Sequence, residues 1–233
     1  MKKLIFFLLL SLLLSCSRTD VIELSGLLEH GNGRMLHLSL LTAEGLQPVD
    51  SVQVRHNKFC FKLNADEVEW LEAGQPVFLQ LAFTPDNGLT TLARGGESVS
   101  LKADANQLVS SYRVSGPEDA QLMWRLDSVL ASFVRCTDTL LQIYHYYMDV
   151  DSVRGAVEQR YNKAVEDHRQ FLRDFIQSHP QSFSTMIAFY QGYNNLRFFD
   201  ETKDADLLRS LTDSLVVYYP NSQYVSYLQS RVR

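Results

Sequence analysis

Three cysteines, six histidines and a few grouped acids are the residues of this chain whose types could do chemistry. The cysteines are Cys16, Cys60 and Cys136. None belongs to a Cys-x-x-Cys or Cys/His spacing, which argues against a zinc ribbon or a dithiol redox centre. An oxidising compartment permits a Cys60–Cys136 disulfide, and two free thiols are the alternative. Sequence cannot decide, because bridging needs Cα atoms within a few ångströms. The histidines (His30, His37, His56, His145, His168, His179) stand in six separate settings, with no His-Glu-x-x-His. Glu166, Asp167 and His168 are adjacent on a helix and so point to different faces. Asp149-Val150-Asp151 has the composition of an acidic clamp but reads as helix capping between two long helices. Arg94-Gly95-Gly96-Glu97 reads as a turn, since it neither follows a parallel strand nor opens a helix, as a phosphate cradle would. No Gly-x-Ser-x-Gly elbow occurs. No metal, no cofactor and no catalytic set is expected, and the enzyme question leans to no.

What remains is an aromatic surplus. Tyr144-His145-Tyr146-Tyr147-Met148 is apolar or aromatic all round a helix, where one stripe would satisfy a core. Leu140, Leu141 and Tyr144 are expected to supply that stripe. Tyr146 and Tyr147 lie roughly 100° apart, so one neighbouring helix cannot cover both. Tyr144, Tyr146 and Tyr147 are the candidate contact surface, Tyr being favoured at interfaces. Tyr193 and Phe198-Phe199 form a similar surplus. Cover from residues 183–219 is the competing reading.

Elements must position these residues, and the first is a leader. Lys2 and Lys3 precede an apolar run from Leu4 to Leu14, broken only by Ser11. Eleven residues cannot span roughly 30 Å of hydrocarbon. The run ends in Leu13-Leu14-Ser15-Cys16, which resembles the lipobox of bacterial lipoproteins. That resemblance implies cleavage after residue 15, diacylation of Cys16 and a short tether over 16–20. Several acyl chains anchor stably where one is marginal. With no acidic run after Cys16, the expected location is the outer membrane, facing the periplasm.

From residue 20 to 114, short β-like runs alternate with turn signals, as an antiparallel β-sandwich of seven or eight strands would. Val49 to Leu63 reads as a hairpin around His56-Asn57, two residue types that tolerate positive φ. In that register Val52 faces Phe61, Val54 faces Phe59 and Gln53 faces Cys60. One face is then apolar, and the other collects Ser51, Gln53, Cys60 and Lys62. Hairpins are also expected across Gly31-Asn32-Gly33, Pro85-Asp86-Asn87-Gly88 and Arg94-Gly95-Gly96-Glu97. Pro76 to Phe83 is apolar almost throughout, as a strand covered on both faces is. Leu108 to Val114 is the last predicted strand.

Residues 115–233 read as all-α. Pro117, Glu118 and Asp119 suit a helix start. Leu122, Leu126, Val129, Leu130, Phe133, Leu140, Leu141 and Tyr144 recur at helical spacing. So do Val153, Val157, Tyr161, Ala164, His168, Phe171, Leu172 and Phe175 after a short break. The result is a long antiparallel helical hairpin. Pro180 ends its second helix. Three further helices follow from Phe183, Asp204 and Tyr224, the last capped by Asn221-Ser222.

The order of parts resembles a known family. Lipobox, Val49-Asp50-Ser51 before the hairpin, and Val114-Ser115-Gly116-Pro117-Glu118 opening a long helix carry the likeness. So do Phe175-Ile176-Gln177-Ser178-His179-Pro180-Gln181-Ser182 and Tyr219-Pro220-Asn221-Ser222-Gln223-Tyr224. These are similar to the β-rich domain of unknown function, with its helical region, that precedes the thioredoxin-like domain in envelope lipoproteins of Gram-negative anaerobes. The resemblance covers about residues 20–233. Family members continue into a Cys-x-x-Cys domain, absent from these 233 residues, and the turn glycine common in the hairpin is Lys58 here.

Cleavage after residue 15 would remove Lys2 and Lys3, leaving 20 of the 22 basic residues against 27 acidic ones. No basic cluster survives to track phosphates, which excludes nucleic acid as an expected partner. The expected function is a lipid-anchored, non-enzymatic binding or accessory module of the envelope, held at the membrane by its lipid and open to an envelope partner. An accessory of envelope thiol–disulfide exchange follows only from the resemblance. A hydrolase or lyase with an unrecognised site is the third class.

Overall fold

The computed structural model describes residues 21–64, 74–85, 87–147 and 149–232. The leader, the lipobox and Cys16 lie outside them. Eight strands build two four-stranded sheets: β1 (Val21–Glu29), β2 (Met35–Thr42), β3 (Gly45–Gln53), β4 (Lys58–Asn64), β5 (Val77–Thr84), β6 (Asn87–Ala93), β7 (Ser98–Asp104) and β8 (Arg113–Ser115). The first sheet runs β4-β1-β7-β8 and the second β3-β2-β5-β6. Alternating side chains from both, such as Leu24, Phe61 and Leu101 against Leu38, Leu79 and Leu81, fill one shared core.

The sheets are rich in antiparallel pairs but not wholly antiparallel, because β1 and β7 run parallel, Leu24 beside Val99 and Gly26 beside Leu101. Gly26 makes the close approach there possible. A Cβ at this position would stand 2.1 Å from the Leu101 carbonyl oxygen and 2.9 Å from the Phe59 ring.

Three turns expected to close hairpins instead carry the chain from one sheet to the other. His56 and Asn57 do adopt positive φ, at 52° and 60°, and Arg55 and Lys58 exchange backbone hydrogen bonds of 2.9 and 3.1 Å. Pairing stops there. Val52 lies opposite Leu36 on β2, and Phe61 opposite Leu24 on β1, so the predicted Val52–Phe61 and Gln53–Cys60 pairs do not form. The 31–33 and 94–97 turns likewise join strands of different sheets. A corner between sheets buries the apolar face of a strand as well as a hairpin does. Only β5 and β6 form the hairpin expected across 85–88.

The predicted last strand is mostly something else. Leu108–Ser111 is a short helix, α1, and only Arg113–Ser115 pairs as β8. Asp104 Oδ1 accepts the Asn106 N–H at 2.9 Å, and Ser111 Oγ donates to Gln107 O at 2.7 Å. Such local side-chain bonds outcompete a ladder.

Two long helices follow, α2 (Glu118–Tyr146) and α3 (Asp151–Ser178), then α4 (Ser184–Tyr190), a two-stranded ribbon β9 (Gly192–Tyr193) and β10 (Leu196–Arg197), α5 (Ala205–Tyr218) and α6 (Gln223–Arg231). α2 and α3 pack on each other, the Phe133 ring 4.9 Å from His168. The helices cover the outer face of the second sheet. β5 is therefore buried on both sides, as its apolar run predicts: Val77, Leu79, Leu81 and Phe83 face the sheet core, Phe78 the helical one. Phe183 and Tyr224 lie against Phe78, and the Tyr224 hydroxyl donates to Leu41 O at 2.8 Å. Ser222 takes the N-cap position of α6, but its buried Oγ makes no hydrogen bond and the predicted cap is not formed.

Candidate functional site

The residues singled out by type are scattered. Cys60 on β4 and Cys136 on α2 are free and exposed. His168 is buried among Phe133, Phe171 and Phe198, with Nε2 2.8 Å from Gln191 Oε1, and burial pushes its pKa down, so the ring stays neutral. His179 Nδ1 lies 2.8 Å from the Phe175 carbonyl oxygen, closing the end of α3. Among the described residues no three His, Cys, Asp or Glu side chains converge as metal ligands. Asp149 and Asp151 do not cap: Val150 holds the N-cap position, and Asp151 pairs with Arg154 at 2.7 Å within the first turn.

The 94–97 turn does build something, though not a cradle. Arg94 reaches from the sheets to Asp119 in the first turn of α2, Nη2 to Oδ2 at 2.8 Å. Ser182 Oγ, on the chain leaving α3, donates to the other Asp119 oxygen at 2.5 Å and sits 2.7 Å from Ser184 Oγ. Asp119, Ser182 and Ser184 are buried. Every partner of this carboxylate is satisfied, and Ser182 is hydrogen-bonded to an acid rather than a base, so the set works as a joint between sheets and helices. A second, half-buried acid lacks such a cation. Asp127 accepts the Tyr112 hydroxyl at 2.7 Å, and burial outweighs that bond and pushes its pKa up to about 6.

The tyrosines at the end of α2 are divided between two places. Tyr146 and Tyr147 are exposed, at 80% and 45%, and their rings meet edge to face 4.7 Å apart. Leu141, expected in the buried stripe, is 54% exposed and lines the neighbouring groove. Tyr144 is half-buried and lines an open groove of about 690 Å³. α2 contributes Asp138 and Leu140 to the groove, α3 contributes Val157, Glu158 and Tyr161, and the β9–β10 turn closes one side with Tyr193 and Asn194. Tyr193 donates to Asp138 Oδ1 at 3.0 Å, and that bond, first among its causes, raises the phenol pKa. Asn194, at φ 53°, permits the tight turn that presents Tyr193.

Periodicity assigns Tyr161 to the core stripe of α3, but it is 39% exposed beside the groove. Phe198 and Phe199, set with Tyr193 as surplus, are core. Sequence reasoning missed Asp138 and Glu158 as site residues, because nothing in one dimension links two helices to a ribbon. The Tyr193-Asn194-Asn195 turn signal was the one available hint.

The groove can hold an elongated, partly apolar ligand against aromatic rings and carboxylates. Compared with known proteins, the chain matches no family model and no curated protein, so its site is read from this chemistry alone.

Proposed function

We propose that this protein is a lipid-anchored cell-envelope module, tethered through Cys16, that binds a partner or ligand without turning it over. The two sheets form a β-sandwich base, and α2 with α3 forms a long antiparallel helical hairpin that carries the binding surface away from it. The observation that carries this reading is the distribution of aromatic surface. Tyr146 and Tyr147 are exposed at the end of α2, next to an open groove bearing Tyr144. The lipobox-like Leu13-Leu14-Ser15-Cys16 supports attachment to the membrane, with the outer membrane and its periplasmic side as the proposed location.

Two measurements test the reading. Cys16→Ala should move the protein from the membrane fraction to the soluble one, and a variant that still pellets with membranes overturns the anchor. Tyr146→Ser with Tyr147→Ser should lower the yield of partner cross-linked in native envelopes, and an unchanged yield removes the tip from the binding surface.

A further inference from the structure

We propose that the groove between α2, α3 and the β9–β10 turn binds an organic cation with a methylene body, a linear diamine or polyamine fitting best. The inference rests on the reading of this arm as a binding surface. Its lining carries two carboxylates, Asp138 and Glu158, and no Lys or Arg. The Tyr193 hydroxyl occupies one Asp138 oxygen and leaves the other free of any bond among the described residues. Glu158, like Glu166 further along α3, has neither ion pair nor hydrogen bond among the described residues, whereas Asp151 pairs with Arg154 and Asp167 with Lys163. Arg154, one turn before Glu158, is thus engaged elsewhere, and Asn162, one turn after it, brings no charge.

The groove therefore presents two exposed carboxylates with no cation in its lining. A neutral saccharide brings more acceptors than donors and no charge to offset them. An alkylammonium supplies donors and charge together. Its methylene stem packs on Leu140 and Val157, and the ring faces of Tyr144 and Tyr161 attract an adjacent ammonium. Two carboxylates on two helices suit a ligand with a charge at each end.

The test is calorimetric titration of spermidine into the full chain in detergent at low salt, with maltotriose as the neutral probe. Spermidine should bind saturably at one site. Glu158→Gln, a surface change that leaves folding intact, should weaken it about tenfold, the scale of one charge-assisted contact. Asp213→Asn, an exposed acid on α5, should leave it unchanged. Absence of saturable binding overturns the proposal, as does affinity unaltered by Glu158→Gln. Equal weakening by both variants overturns it too, because the cation is then drawn only to the acidic surface. Maltotriose binding that Tyr161→Ser abolishes also overturns the cation while leaving the binding arm standing. Envelope cross-linking of the Tyr146/Tyr147 variant reports on that arm separately.

Discussion

The two ends of α2 share one helix and one periodic sequence, yet they live in different physical regimes. At its start Asp119, Leu122, Met123 and Leu126 are buried, and Phe183 and Phe78 stack in the same core. At its end Leu141, Tyr146 and Tyr147 are exposed. The start lies against the second sheet, α3 and α4 at once, so most of its circumference is covered and Gln121 and Arg125 point outward. From Thr137 on, the neighbours are α3 and the β9–β10 turn across an open groove. Amphipathic spacing thus marks which residues can be buried, and the number of neighbouring elements decides which are. Stability should therefore concentrate at the joint and be nearly absent at the tip.

The largest expected effect comes from emptying the joint. Phe183 is fully buried, with its ring between Phe78, Tyr219 and Tyr224. Phe183→Ala removes that packing from both sheet and helices, and the loss should be about 3–5 kcal/mol in chemical denaturation. A loss under about 1 kcal/mol would show that the helices hold to the sheet elsewhere.

Asp119→Ala should come next, at about 1–3 kcal/mol, because it leaves the buried Ser182 hydroxyl without its acceptor and the part-exposed Arg94 guanidinium without its ion pair. Arg94→Met alongside it should recover part of the loss, since it removes the orphaned cation. If the double variant is no better than Asp119→Ala, the cost lies in Ser182 and Ser184 instead.

Asp127 offers a sharper contrast, because its half-buried carboxylate has no cation beside it. Its folded pKa of about 6 exceeds the ordinary 3.8, so the native state holds a proton that the unfolded chain has lost between those values. Stability from this group is full below pH 4, falls as pH rises, and is gone above about 6. The interval corresponds to about 3 kcal/mol at most. Asp127→Asn keeps an acceptor for Tyr112 and should raise stability by about 1–2 kcal/mol at pH 7.5, with little gain at pH 4. Melting curves at the two pH values check it, and a gain that does not depend on pH would reject the assignment.

Legibility in the sequence followed the same divide. Strand alternation, the two-sided burial of β5 and the start of α2 were readable because each depends on local pattern. Sheet membership was not: the His56-Asn57 turn was recognisable from its positive-φ residues, but nothing local says whether Val52 continues beside Phe61 or turns to Leu36. The Asp104–Ser111 knot hid α1 inside an apparently strand-like run. At the site, Tyr146 and Tyr147 stood out because two adjacent aromatics overfill one helix face. Asp138 and Glu158 did not, since single acids on exposed helix positions look like ordinary solvated charge.

The smallest stability effect is expected where the binding surface is proposed. Tyr146 and Tyr147 touch each other edge to face, a contact of about 0.5–1.5 kcal/mol when buried and less when water reaches both rings. Truncating both removes that pair and little else, because Tyr146 is 80% exposed and neither ring belongs to a core. Serine lowers helix propensity only slightly in a last turn that is already fraying. Tyr146→Ser with Tyr147→Ser should therefore change unfolding free energy by no more than about 0.5 kcal/mol, as surface changes do. Chemical denaturation with intact far-ultraviolet circular dichroism checks this. A loss above about 2 kcal/mol would mean that the tip is held by contacts the two rings make with the rest of the helical layer. In that case the two ends of α2 would not differ in kind, and the binding surface would have to be sought elsewhere, first on the exposed side of β4 that carries Cys60 and Lys62.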